Sequence, residues 1–218
     1  ISRINMKIRS EVESEINGLG PEISSEAIKK MFDRLDELQE GDILVLAGSI
    51  PASMPESMYR DIMKRLADRK LKIAVDATKS LLLNVLPFHP FVIKPNNHEL
   101  GELFNVKIKS KDQAVEYAKK LQEMGAQNVI VSMAGEGAVF VGDDGSVFQS
   151  EAPKGTVVNS VGAGDSMVAG FLAGYLGEGD YKEAFKLGVC TGSASAFSEQ
   201  LATREQVEAI RNTHHFQF

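Results

Sequence analysis

Four short, continuous apolar runs recur along the chain: Asp42–Ala47 (DILVLA), Leu71–Val75 (LKIAV), Phe91–Lys94 (FVIK) and Asn128–Ser132 (NVIVS). Runs of this length without polar alternation suit strands covered on both faces, as in a parallel sheet. Helical patterns separate them. Ser24 or Ser25 caps a helix reaching about Leu38, and Pro55 suits the first turn of an amphipathic helix to about Lys70. A short helix is expected around Ser80–Leu86, and Ser110 with Gln113 forms a capping box for one ending at Gly125. Further helices are expected near Gly164–Leu176, Tyr181–Ser198 and Thr203–Arg211. Asp143-Asp144-Gly145 between Ala138–Val141 and Val147–Gln149 marks a hairpin. At the start of the chain, residues Ile1 to Ile16 alternate loosely and read as one or two strands. The pattern predicts one α/β domain over 1–218, a mainly parallel sheet with helices on both faces.

In such sheets ligands bind beyond the carboxyl ends of the strands. Four polar or glycine-rich segments fall there: 48–51, 76–79, 94–99 and 132–137. Over 218 residues the net charge is −6, which argues against a nucleic-acid surface but leaves room for a local basic pocket. The one cysteine, Cys190, excludes an internal disulfide and suits a reducing cytoplasm; we read it as a packed core thiol. No apolar run approaches the roughly 20 residues that span a bilayer, and no signal peptide is visible, so no membrane partner is expected.

The most informative stretch is Asn159-Ser160-Val161-Gly162-Ala163-Gly164-Asp165-Ser166, followed by the apolar Met167-Val168-Ala169-Gly170-Phe171-Leu172. Gly162, Ala163 and Gly164 let the backbone approach a ligand, and the helix starting there adds the positive end of its dipole. Asp165, in the first turn, stabilises a helix start in any protein; beside a phosphate chain it can also take a proton from a hydroxyl. The string is not a Walker motif, since no Gly-Lys-Ser/Thr follows, and it lacks the G-x-G-x-x-G dinucleotide spacing.

The whole string resembles the C-terminal signature of the PfkB (ribokinase-like) family of sugar kinases. The resemblance implies ATP as phosphoryl donor, Gly162–Gly164 as an anion hole and Asp165 as catalytic base. The family usually opens this signature with Asp-Thr where this chain has Asn159-Ser160, a departure that touches a neighbouring monovalent-cation site and not the base. Gly48-Ser49-Ile50-Pro51 matches the family's Gly-Ser-Leu/Ile-Pro string, which implies Ser49 near a substrate phosphate. Asn96 and Glu99 read by themselves as a helix cap, and their spacing also matches an Asn-x-x-Glu motif that organises Mg²⁺ and phosphates, often through water. Lys94 would offset charge on the transferring phosphoryl group. Ser132-Met133-Ala134-Gly135-Glu136-Gly137 matches a Ser-x-Gly-x-x-Gly segment that approaches ATP, with Ala134 standing where Gly is typical. That segment and Val161 complete the implied nucleotide set.

Asp76 reads as an ordinary strand-end acid and is left outside the site. His98, His214 and His215 show no metal-ligand spacing, and the last two are placed in a mobile tail. The small residues of Cys190–Ala196 (CTGSASA) point to a helix bordering the adenine.

Ser2-Arg3-Ile4-Asn5-Met6-Lys7-Ile8 and Ile16–Pro21 are similar to the 1-phosphofructokinase and tagatose-6-phosphate kinase branch, where a Thr-Arg-x-Asn-x-Lys strand lies in a small β-lid over the sugar. Residues 1–20 are thus expected to be lid strands, with Arg3 holding the substrate phosphate through two hydrogen bonds. The resemblance implies phosphorylation of fructose 1-phosphate, with tagatose 6-phosphate as alternative, and a homodimer formed through the lid. A non-catalytic regulator binding nucleotide or sugar phosphate is a reading from another class, and Asp165 with Glu99 weigh against it. Family members carry an N-terminal segment before this lid strand, and the chain opens on Ile. The expectation is a nucleotide half with its base, an incomplete sugar site and a self-associating apolar edge.

Overall fold

The computed structural model describes residues 3–8, 14–18 and 20–218. A ribbon of β1 (Asn5–Ile8) and β2 (Ser14–Asn17) pairs antiparallel, Asn5 opposite Asn17 and Ile8 opposite Ser14. Among the described residues the main sheet has six strands in chain order: β3 (Ile43–Ala47), β4 (Lys72–Asp76), β5 (Val92–Ile93), β6 (Asn128–Ser132), β7 (Ala138–Val141) and β8 (Val147–Ser150). The first four are mutually parallel; β7 and β8 return antiparallel, as the hairpin signal requires. Their loop places Gly145 at φ +84° and closes with a 2.8 Å bond from the Gly142 N–H to the Ser146 carbonyl.

Alternate strand residues divide between two cores. Ile73, Val75, Ile93, Val129, Val131, Val139 and Val141 face one side, where they meet α2 (Met58–Leu66), α4 (Asn97–Phe104) and α5 (Lys111–Glu123). Ala74, Val92, Ile130, Ala138 and Phe140 face the other, against α6 (Ala163–Glu178) and α7 (Tyr181–Ala196). Within α2 the buried Met58, Ile62 and Leu66 recur every fourth residue, one stripe of a 3.6-residue helix. The mainly parallel sheet with helices on both faces is the architecture expected from the apolar runs. The remaining helices are α1 (Ser25–Leu35), α3 (Lys79–Leu83) and α8 (Arg204–Thr213). Among the described residues no helix is long and apolar enough to cross a membrane.

Several boundaries differ from the sequence pattern. α2 starts at Met58, not in the turn holding Pro55: Met54 donates to the Pro51 carbonyl and Met58 to that of Pro55, so two turns precede the helix. At α5, Ser110 Oγ accepts the Gln113 N–H, but the Gln113 side chain reaches past the cap to the Lys109 N–H at 2.8 Å. The expected reciprocal box is therefore offset by one residue. The C-terminal tail, expected to be mobile, is packed: Phe218 lies 5.1 Å from Phe148 and 6.1 Å from Phe185, ring to ring, and His214 Nε2 is 3.3 Å from Ser150 Oγ. These rings close the end of the second core, burying apolar area that solvent would otherwise reach.

The small residues of α7 have a packing reason. A Cβ on Gly170 of α6 would meet Thr191 Oγ1 at 2.5 Å, and one on Gly188 would meet the Met167 carbonyl at 3.0 Å. The two helices approach through these positions, with no room for larger residues.

Candidate active site

Gly162 caps α6 with φ +79°, a left-handed conformation that glycine adopts without strain. The Ala163 N–H turns back to the Ser160 carbonyl at 3.2 Å, and Ser166 makes the first helical bond, to Gly162. The Gly164 and Asp165 amides between them donate to no group among the described residues. The amides of this turn left open to an anion are thus Gly164 and Asp165, while the Ala163 amide is already engaged. Val161 is also engaged, its N–H donating to Asn159 Oδ1 at 3.1 Å while Asn159 Nδ2 donates to the Glu199 carbonyl at 3.0 Å. Below, Ser195 Oγ donates to the buried Ser166 Oγ at 2.8 Å and accepts the Ala202 N–H. The turn is anchored to the end of α7 at each of these points, and the Asp165 side chain stays exposed.

Beneath it lies an ion pair. Lys94, at the end of β5, places Nζ 3.3 Å from Asp76 Oδ2 at the end of β4; the side chains are 7 % and 19 % exposed. A Cβ on Gly164 would stand 3.1 Å from that Nζ and 4.0 Å from Asp76 Oδ2. Burial pushes the Asp76 carboxyl above its ordinary range; Lys94 opposes this, while the charges of Asp165 and Glu99 push further up. Asp76, read from sequence as a plain strand-end acid, therefore belongs to this cluster: it sits among three charged residues expected in the site. Its signal was position, an acid where a parallel strand ends beside another strand carrying a lysine.

Asn96 and Glu99 form the cap of α4. Asn96 Oδ1 accepts the His98 and Glu99 amides at 2.9 Å, and Glu99 Oε2 accepts the Asn96 N–H at 2.8 Å. Glu99 Oε1 has no partner among the described residues. The capping reading of this pair is what the geometry shows, and it leaves one carboxylate oxygen for other use. No cluster of three or more His, Cys, Asp or Glu able to hold a metal occurs among the described residues. A magnesium ion that keeps most of its waters needs only one or two carboxylates, and Glu99 with Asp76 meets that requirement.

The expected substrate-phosphate residues meet across the lid: Arg3 Nη1 donates to Ser49 Oγ at 2.8 Å. Ser53 Oγ joins the same loop to the lid's base, donating to the Pro21 carbonyl and accepting the Ile23 N–H, both at 3.3 Å. The Gly48 N–H donates to the Asp76 carbonyl at 3.0 Å, linking this turn to the buried ion pair.

Ser132 lies beside Asn96 through a parallel bridge. Ala134 holds φ +48°, a conformation costing a non-glycine residue about 1 kcal/mol, which a glycine would avoid. Gly137 has an internal reason to be glycine: at φ +94° a Cβ would overlap the Ser150 carbonyl at 1.9 Å. Gly135 and Glu136 border an open cleft of about 460 Å³ with Lys111, Asp112, Gln149 and Glu151. None of Gly162–Gly164 lines that cleft.

The carboxyl end of this α/β sheet thus carries open helix amides over a buried lysine–aspartate pair, an arrangement able to accept an anionic group. Residues 3–207 match the family described as pfkB family carbohydrate kinase. A 1-phosphofructokinase of Bacillus subtilis (strain 168) is 49 % identical over 209 residues, 96 % of this chain and 69 % of that protein. A D-tagatose-1-phosphate kinase of Bacillus licheniformis is 34 % identical over 202 residues, 92 % of this chain and 66 % of the relative. A crystal structure from Staphylococcus aureus, described as of a phosphofructokinase, superimposes with TM-score 0.87 at 39 % identity, covering 98 % of this chain and 69 % of that one. The chain belongs to the pfkB family of carbohydrate kinases, with its ribokinase-like fold. It is a sugar-phosphate kinase, a phosphotransferase with an alcohol group as acceptor.

Proposed function

We propose that this chain transfers the γ-phosphoryl group of ATP to fructose 1-phosphate, with Asp165 as general base. The observation that carries the reading is the exposed Asp165 carboxylate in the first turn of α6, beside two unengaged amides and above Lys94. Asp165 accepts the proton of the sugar hydroxyl as its oxygen bonds to the γ-phosphorus; the bond to the bridging oxygen breaks and ADP leaves. The Gly164 and Asp165 amides and the Lys94 ammonium stabilise the charge that develops, about 3 kcal/mol for a well-placed donor. Magnesium, when bound near Glu99 and Asp76, supplies charge neutralisation on the phosphates. Ser132, Gly135 and Glu136 are assigned to the nucleotide side of the site, and Arg3 with Ser49 to the substrate's existing phosphate.

The 49 % identity to a 1-phosphofructokinase supports fructose 1-phosphate. The Bacillus licheniformis relative supports a tagatose phosphate as second reading: tagatose 1-phosphate, as that relative's name says, beside the tagatose 6-phosphate expected from sequence. Asp165 and Glu99, which a binding module does not need, favour catalysis over a non-catalytic regulator on the same scaffold. Ile4, Met6, Ile8 and Ile16 expose apolar surface on the β1–β2 ribbon, which supports the proposed pairing of lids in a homodimer.

The test is a substrate panel with the full-length protein and its Asp165→Asn variant. We expect preference for fructose 1-phosphate and, in the variant, a kcat loss of about 10²–10⁴-fold with nucleotide affinity retained. A variant of near-normal rate overturns the base assignment; preference for a tagatose phosphate overturns the substrate.

A further inference from the structure

We propose that the Tyr59 hydroxyl is a positioning group for phosphate recognition: it fixes the turn that presents Ser49 to Arg3. Tyr59 lies in α2, half-buried, and its Oη donates to the Ala47 carbonyl at 2.7 Å and shares that proton with the Gly48 carbonyl at 3.1 Å. These carbonyls flank the bend where β3 ends, with Gly48 at φ +81°. A Cβ placed on Gly48 would meet no atom within 4 Å, so side-chain packing does not hold the bend there. Hydrogen bonds do: the Gly48 N–H to the Asp76 carbonyl on one side and the Tyr59 hydroxyl on the other. One residue further on, the exposed Ser49 Oγ accepts from Arg3. Where Ser49 stands relative to the lid guanidinium therefore depends on a bend with two tethers.

The surroundings keep Tyr59 a donor. Burial first, and then the Asp76 carboxylate, hold its phenol above the ordinary tyrosine range, so it stays protonated at any pH an enzyme experiences. Arg3 and Ser49 are marked in the sequence by the family resemblance and Gly48 by its turn; Tyr59 was not among them, because its contact crosses from a helix to the preceding strand's end.

This inference rests on the assignment of Arg3 and Ser49 to the substrate phosphate. Phenylalanine at 59 removes the hydroxyl and keeps the ring. The cradle then loosens in ground and transition state alike, which raises KM without touching the chemical step. In Tyr59→Phe of the full-length protein we expect KM for fructose 1-phosphate to rise about fivefold, with kcat and KM for ATP within about twofold of the parent. In a Ser49→Ala background the same change adds little, since Tyr59 acts through Ser49. An unchanged KM, a fall in kcat at constant KM, or full additivity with Ser49→Ala each overturns the proposal. A parent enzyme that phosphorylates no sugar phosphate overturns the proposed function itself, and this inference with it.

Discussion

The ammonium of Lys94 and the carboxylate of Asp76 stand 3.3 Å apart at the ends of neighbouring strands, directly below Gly164. Both are largely removed from water, so each is tolerable mainly because the other is present. The pair sets a positive group beneath an anion-accepting turn while limiting its net charge.

Removing the cation alone should expose that dependence. In Lys94→Met the Asp76 carboxyl loses the group that opposes its upward shift. Its native pKa then lies still further above the unfolded value, so from about pH 3.8 upward the native state holds more protons than the unfolded chain. Stability falls as pH rises through that window and flattens above the native pKa. We expect a loss of about 3–5 kcal/mol near neutral pH, shrinking toward acid pH. Urea melts of parent and variant from pH 4 to 8 check this, and a penalty independent of pH counts against it.

Gly164→Ala separates stability from catalysis. Alanine is the better helix former by about 1 kcal/mol, but the added methyl stands 3.1 Å from Lys94 Nζ and 3.4 Å from Cε. Lys94 has a flexible end and gives way, so the fold survives while the ammonium moves. A melting temperature within a few degrees of the parent, with kcat lowered about tenfold or more, is the expected result. Retained kcat would show that Lys94 is not needed in its present position.

The packed tail carries a pH signature. Burial first, and then His215, hold His214 below its ordinary value, partly offset by the Glu151 backbone and charge. A base with a depressed native pKa contributes stability above pH 6.5, and that contribution is lost as pH falls from 6.5 to the native value. An NMR titration should give a His214 midpoint below 6.5 that rises when Phe216, whose ring lies 4.5 Å from that of His214, is replaced by alanine. A midpoint indifferent to Phe216 would separate the histidine from tail packing.

Most of the sheet was legible because buried parallel strands need uninterrupted apolar residues. β6 spans the predicted residues without change, and β3 and β4 fall within one residue of theirs. The glycine turn before α6 was legible for a similar reason, since few residues tolerate φ +79° at a cap. What escaped depends on partners distant in sequence. Asp76 has meaning only once β4 and β5 lie side by side and deliver Lys94. The tail holding His214 and His215 was expected to be mobile, while its fate is decided by Phe218 meeting Phe148 and Phe185, with Phe216 stacked on Phe218. Gly188 and Gly192 of α7 stand against Met167 and Ala163 of α6, a packing contact that the sequence pattern alone does not show.

Among the described residues the main sheet runs β3 to β8 with no strand inserted out of turn, so each of these strands after β3 pairs with the one made just before it. Synthesis from the N-terminus can lay these strands down in order without waiting for a later partner. The covering of the sheet does not follow that schedule. Helices of one face are interleaved with the strands, whereas α6 and α7 come only after β8. A nascent chain halted at Ser150 would thus display Ile130 and Phe140 uncovered, and Lys94 with Asp76 would stand without the glycine turn above them. Such a half-made product exposes apolar surface, and the glycine turn meets its ion pair only once the residues after β8 dock.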